Sequence, residues 1–248
     1  MFIRYALIFL VLFVIVFSIT TFGYFNKLIA TADISAFSTF LNFFGVVYAV
    51  IAAFVIFEAG GRFSGINEAL DKECMALRNI FSMVKLSKDT ELIRFSKEKI
   101  REYALSLKDK LYTNGPKAKE EVSKKFRAIF QTIDKIEPKN EMDKILAGHI
   151  VDALRSSANS RAQRLGLIDA EIPMLELLLI MFLSLVLVFG FFVVRVSNVY
   201  LFTALMALVS AAVSFIMLII FDLNKPFKGF WNVSAQPIDH TLEFLEED

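Results

Sequence analysis

The stretch MLELLLIMFLSLVLVFGFFVVRVSNVYLFTALMALVSAAVSFIMLIIF, residues 174–221, carries one acidic and one basic side chain, Glu176 and Arg195. It divides into two apolar runs, Met174–Val194 and Val199–Phe221, joined by Arg195-Val196-Ser197-Asn198. A helix rises about 1.5 Å per residue, so about 20 apolar residues cross ~30 Å of hydrocarbon. Both runs reach that length, and the link between them is short. The pattern predicts a membrane hairpin.

The front of the chain repeats it. Tyr5–Tyr24 and Ile34–Phe57 contain no charged residue, and only Phe25–Asp33 lies between them. Ala30-Thr31-Ala32 resembles a signal-peptide cleavage site, but the preceding run is much longer than a signal core of about 7–15 residues. We read Tyr5–Tyr24 as a span. Of 248 residues 56% are hydrophobic, including 27 Phe, and the mean hydropathy is +0.57. Soluble domains are about one half apolar, so the composition leans the same way.

The fold class expected is all-α: four transmembrane helices in two hairpins with a cytoplasmic helical bundle inserted between them. Residues 1–59 form the first hairpin (helices at about 5–24 and 34–57), and 60–172 the helical domain. Residues 173–223 form the second hairpin (helices at about 174–194 and 199–221), and 224–248 a tail. Only Lys27 and Arg195 fall on one side of this layout; every other basic residue falls on the side of the N-terminus, the middle domain and the tail. The excess of Lys and Arg places that side in the cytoplasm. The setting is an inner or plasma membrane crossed several times.

Within the middle domain apolar residues recur at three and four. The expected stripes are Leu70, Cys74, Leu77, Phe81, Val84; then Ile93, Ile100, Tyr103, Leu107; then Val122, Phe126, Ile129, Ile133, Ile136; then Met142, Leu146, Ile150, Ala153. Ser87-Lys88-Asp89-Thr90, Asn114-Gly115-Pro116 and Glu137-Pro138-Lys139-Asn140 supply stops and caps between them. The glycines in Glu58-Ala59-Gly60-Gly61-Arg62-Phe63-Ser64-Gly65 lack the following Lys-Ser/Thr of a phosphate loop and read as a kink or hinge.

Several chemistries find no support. Cys74 has no partner for an intrachain disulfide, and His149 and His240 are not at metal-ligand spacing with it. No nucleophile elbow, phosphate loop or zinc-protease helix occurs. With 27 basic against 26 acidic residues there is no general case for nucleic acid. We expect no enzyme, no cofactor and no metal.

The last span closes in Asp222-Leu223-Asn224-Lys225-Pro226-Phe227-Lys228-Gly229. Pro226 cannot continue a helix. Asp222 can pair with Lys225 or a juxtamembrane Arg, while Phe227, Phe230 and Trp231 suit the headgroup level. Asp222, Lys225, Pro226, Phe227 and Gly229 thus form a clasp that stops the helix and turns the tail along the surface onto the bundle. Its role is an interfacial anchor or a gating element.

That string resembles the end of the last span in the bestrophin-like family of bacterial membrane proteins. Gly45-Val46-Val47-Tyr48 through Phe54, Glu68-Ala69-Leu70 with Glu73-Cys74-Met75-Ala76-Leu77, and Ser160-Arg161-Ala162-Gln163-Arg164-Leu165 before Ile172-Pro173 resemble further family landmarks in the same order. Glu176 and Asn224 depart from the pattern, which has an aromatic and an acidic residue there. The resemblance implies an oligomeric ion channel with its pore along the second span; an acidic calcium clasp of the bestrophin type is missing.

The second span carries a small or polar stripe, Ser35, Ser38, Asn42, Gly45, Ala49, Ala52, beside a bulky one, Phe37, Leu41, Phe44, Tyr48, Ile51, Val55. Small stripes let helices approach closely in lipid, as does Thr203, Ala207, Ser210, Ser214 in the fourth span. The other reading is a water path around an axis of several copies: Ser38 and Asn42 line it, Phe37, Phe40 and Phe44 constrict it, and Glu58 rings its cytoplasmic mouth. Glu58 can instead pair with Arg62. Glu176 is expected to meet Arg161 or Arg164, and Arg155, Arg161 and Arg164 to hold anionic lipid headgroups. Expected partners are membrane lipid, further copies of the chain and a permeant inorganic ion. The alternative is a non-conducting anchored protein acting through its helical domain.

Overall fold

The computed structural model describes residues 34–111, 116–136, 141–193, 198–227 and 229–247. The span expected at 5–24 lies outside them. Every described element is a helix: α1 Ile34–Leu86, α2 Thr90–Lys110, α3 Pro116–Ile129, α4 Gln131–Asp134, α5 Glu141–Asp169, α6 Met174–Val193, α7 Val199–Leu223 and α8 Gln236–Glu246. They divide between two compact units.

The first unit comprises residues 1–61 and 171–225. Its described elements are the apolar part of α1 with α6 and α7. One stripe of α1 is buried: Leu41, Tyr48, Ala52, Val55 and Ala59. Gly190 of α6 gives Leu41 its place, since a Cβ there would overlap the leucine's δ-methyl. Helices approach closely where one side lacks a side chain. α6 runs directly against α7, which buries Phe202, Met206, Val213, Met217 and Ile220 together with Ser210 and Ser214. The small seam expected on the last span is therefore a packing face. Asn198 opens α7, its Oδ1 accepting from the backbone N–H of Tyr200 at 2.9 Å and of Leu201 at 3.3 Å.

The second unit comprises residues 62–170 and 226–248. Its core draws on Leu70, Cys74, Leu77, Phe81 and Val84 of α1; Ile100, Tyr103 and Leu107 of α2; Val122, Phe126 and Ile129 of α3; Ile150 and Leu154 of α5; and Ile238 and Leu245 of α8. Ile93, Ile133 and Ile136 pack on its rim. Asp89 caps α2, its Oδ1 accepting from Glu91 and Leu92 N–H, both at 3.0 Å; such a cap is worth about 1 kcal/mol. Lys88, just before it, takes a left-handed φ of 58°.

α1 is helical through Gly60, Gly61 and Gly65, glycine being tolerated in a helix at a cost of about 1 kcal/mol. Two readings of the sequence need revision. Met142 is 70% exposed; the buried face of α5 begins one turn later. Ile238, Thr241 and Leu245 of α8 are buried in the second unit, so residues 236–246 are a core helix.

Candidate functional site

The channel candidates on α1 occupy two faces. Ser38 and Asn42 are one turn apart and both exposed. Phe40 and Phe44 are likewise one turn apart, with ring centroids 4.3 Å from each other. At about 100° per residue, Phe40 lies some 160° around the helix from Asn42. Glu58, about five turns beyond Phe40, returns to the azimuth of Phe40 and is exposed. Phe37 falls near the azimuth of Phe44 by the same spacing; its side chain is outside the described residues. The helix thus aligns the phenylalanines with Glu58 and sets Ser38 and Asn42 opposite them. One straight helix cannot turn both sets to one axis, so the combined lining read from the sequence separates into two alternatives. Phe40 is 43% exposed and Phe54, on the same side, 62%; the stripe that packs within the unit is the third one, through Leu41, Tyr48 and Val55.

Between α5 and α6, and again after α7, backbone ends are fastened together. Asn224 is buried, and its Oδ1 accepts the N–H of Ile172 at 3.2 Å. The departure from the acidic residue of the family pattern is therefore a hydrogen-bonding amide, carrying no charge into a buried place. Lys225 is exposed, and its N–H donates to the Asp222 carbonyl at 3.1 Å. Glu176 Oε2 has no hydrogen-bond partner among the described residues.

The other clasp residues belong to the second unit. Pro226 and Phe227 are buried, Phe227 within the hydrophobic core. Phe227 is thus no headgroup anchor: its ring is already covered by apolar neighbours. Phe230 and Trp231 stay exposed. The Pro226 carbonyl accepts from Val233 N–H at 3.0 Å, closing a loop in which Asn232 bridges Gly229 from both sides (Gly229 N–H to Asn232 Oδ1, 3.1 Å; Asn232 Nδ2 to Gly229 carbonyl, 2.9 Å).

The three arginines separate as well. Arg155 is exposed, near Asp152 at 3.8 Å. Arg164 is 4% exposed, and its Nε donates to Glu73 Oε2 at 2.8 Å, while the Tyr103 hydroxyl donates to Glu73 Oε1. Arg164 is thus turned into the core and not out to the surface. Burial alone would depress the Arg164 pKa, but the Glu73 carboxylate holds it above the usual range. Burial first, then the neighbouring Glu73 charge, raises the Tyr103 hydroxyl well above its ordinary value. Arg161 lies between these extremes: its guanidinium stacks 4.8 Å from the Phe126 ring centre and donates from Nη2 to Ser123 Oγ at 2.7 Å. Sequence reasoning missed Glu73 and Arg164 as a buried ion pair and Tyr103 as the hydroxyl donor beside it. A signal existed, because Glu73 sits three residues after Leu70 and four before Leu77, inside an apolar stripe.

Among the described residues three helices, Ser38–Leu86, Met174–Phe191 and Tyr200–Leu223, are long and apolar enough to cross a bilayer. Together with exposed Phe43, Val46, Phe182 and Phe215, they define an all-helical membrane protein.

Comparison with known proteins makes the class particular. The profile of the Bestrophin-like domain matches residues 7–238, and the chain belongs to that family. Its fold is similar to crystal structures of a bacterial bestrophin homologue from Klebsiella pneumoniae. One has a TM-score of 0.79 at 14% identity, covering 99% of this chain and 97% of that one. A point variant gives 0.77 at 16% identity, covering 99% and 98%. No curated protein sequence matches.

Proposed function

We propose that the chain assembles into a homo-oligomeric ion channel whose pore is lined by the aromatic face of α1. Each protomer contributes four spans in two hairpins, with the N-terminus, the helical unit and the C-terminus in the cytoplasm. The observation that carries this reading is the shared azimuth of Phe40, Phe44 and Glu58 on a helix face that stays partly open in the first unit. A ring of phenylalanines makes a constriction that gates by dewetting, and a ring of Glu58 carboxylates at its cytoplasmic end attracts or filters ions by charge. Ser38 and Asn42 then meet the neighbouring copy, where a small, polar stripe supports close approach and an amide finds a partner. Family membership supports the same direction, and the protein acts without catalysis or cofactor.

The test is ion flux through purified protein in liposomes with anion and cation salts varied. Phe40→Ala is expected to raise flux several-fold by widening and wetting the neck. Glu58→Gln is expected to shift the anion-to-cation ratio, and Asn42→Ala to loosen the oligomer. Absence of flux above empty liposomes, from folded and inserted wild-type protein, sinks the proposal and leaves the anchored interaction module.

A further inference from the structure

The second unit holds a cavity of about 230 Å³ between α2, α3 and α5, closed on one side by Phe227. Its charges are unbalanced: among the described residues Lys110, Lys119, Arg161 and Arg164 line it against one carboxylate, that of Asp169. Three of those cations have carboxylate neighbours. Arg164 is held by Glu73, Lys119 by Asp169 at 2.8 Å, and Lys110 stands 3.0 Å from Asp109 and 4.0 Å from Glu121.

Arg161 is the exception. It makes no ion pair among the described residues; Ser123 takes one N–H, and the buried Nε has no partner. A buried charged donor left without a partner costs more than a neutral one, because its desolvation goes uncompensated. Ser123 in turn donates to the Lys119 carbonyl at 2.6 Å, and Phe126 supports the guanidinium plane, so the fork is held rigid while its edge stays unsatisfied. The rest of the wall is apolar, through Leu107, Val122, Ile168 and Phe227. Arg forks match carboxylate and phosphate oxygens in two-point hydrogen bonding.

From this we infer that the cavity is a binding site for a small amphiphilic anion: one carboxylate or phosphate group on Arg161, beside Lys119 and Arg164, with a short apolar body against Leu107 and Phe227. The volume lies just below the ~300–1,000 Å³ of drug-sized pockets, which suits a short-chain acid or the head and first methylenes of an anionic lipid. Arg155, exposed and outside the cavity, takes no part. The site is independent of the pore proposed above, since its readout is binding and needs no conduction.

The experiment is calorimetric titration of full-length protein in a neutral maltoside detergent. The probes are hexanoate, inorganic phosphate, and dihexanoyl phosphatidylglycerol beside dihexanoyl phosphatidylcholine below their micellar concentrations. Binding of the phosphatidylglycerol but not the phosphatidylcholine, with hexanoate and phosphate silent, supports the site and makes its source a lipid. Binding of hexanoate or phosphate that competes with the phosphatidylglycerol supports it and makes the source soluble. In either case Arg161→Gln weakens binding at least tenfold, Arg161→Lys less, and exposed Lys119→Ala severalfold, while Arg155→Gln is unchanged. Lys119→Ala keeps the test usable should the Arg161 variants unfold. No binding by any anionic probe, or equal weakening by Arg155→Gln, overturns the inference.

Discussion

Glu73 joins two buried side chains of the second unit through one carboxylate. Its carboxylate lies in the core with one oxygen on Arg164 and the other on Tyr103, so both buried partners depend on it. Removing one side of a buried ion pair typically costs ~3–5 kcal/mol, whereas replacing both sides by apolar residues is often near neutral. We expect Glu73→Gln to destabilise by about that amount, measured as urea unfolding of the full chain in detergent. The double variant Glu73→Met/Arg164→Met should recover most of the loss. A single variant within ~1 kcal/mol of wild type contradicts this account of the core.

The neighbouring Cys74 reports on the same interior. Burial first, then the adjacent Glu73 charge, pushes its thiol from 9.0 up to about 12. In the unfolded chain the thiol loses its proton as pH passes 9, while the native state keeps it until near 12. The unfolded state thus binds fewer protons across that window, and stability falls as pH rises through it. The contribution is present below pH 9 and lost by about 12. Cys74→Ala is expected to flatten the decline by up to ~1.4 kcal/mol per pH unit, read from unfolding free energies at pH 9, 10 and 11 against wild type. Identical slopes for the two proteins contradict it.

At the scale of the element, α1 shows what a sequence does and does not disclose. Its buried lower stripe, Leu70 to Val84, was legible because every position at three and four is apolar. Its helical continuity was less so, since Gly60, Gly61 and Gly65 read locally as a kink or hinge. The azimuthal split between Phe40 and Asn42 was computable from spacing alone, yet a list of polar and aromatic residues conceals it. Helical glycines also differ from one element to another. A Cβ at Gly60 or Gly61 meets nothing within 4 Å, while one at Gly190 in α6 overlaps Leu41. Alanine at Gly60 or Gly61 should therefore stabilise by ~0.5–1 kcal/mol through the unfolded state and helix propensity. Gly190→Ala should cost ~1–3 kcal/mol by overpacking, unless Leu41 turns away. Thermal unfolding of the three variants in one detergent orders them; a loss at Gly60 and Gly61 matching that at Gly190 would contradict the open surroundings of those two glycines.

At the scale of the whole molecule the second unit is discontinuous in sequence, residues 62–170 being completed by 226–248. Charge-free segments make the membrane-spanning character readable at once, but nothing so coarse marks the tail as core. The signal was a short one: Ile238, Thr241 and Leu245 recur at three and four after Pro237, which is well placed in a helix's first turn. α8 lies against α2. Its buried face adds Ile238 and Leu245 to the core, and its edges are tied by Lys108 to Asp239 at 2.6 Å, Arg101 to Glu246 at 3.2 Å and Arg78 to Thr241 Oγ1 at 2.9 Å. The exposed ion pairs contribute little, ~0–1 kcal/mol each, whereas each fully buried aliphatic side chain is worth ~1.5–3 kcal/mol. Two such side chains, with half-covered Leu242 and Phe244 beside them, amount to a large share of the ~5–15 kcal/mol that holds a typical domain. Truncation after Ala235 should therefore leave the second unit largely unfolded. Hydrogen exchange on detergent-solubilised protein should then show lost protection along α2 and the lower part of α1, whose apolar surface α8 would otherwise cover. The charge variant Lys108→Ala/Arg101→Ala should keep wild-type protection, because it removes only the exposed pairs. Full protection in the truncated chain would show that the helices contributed by residues 62–170 close their own core, with α8 laid on a unit already stable without it.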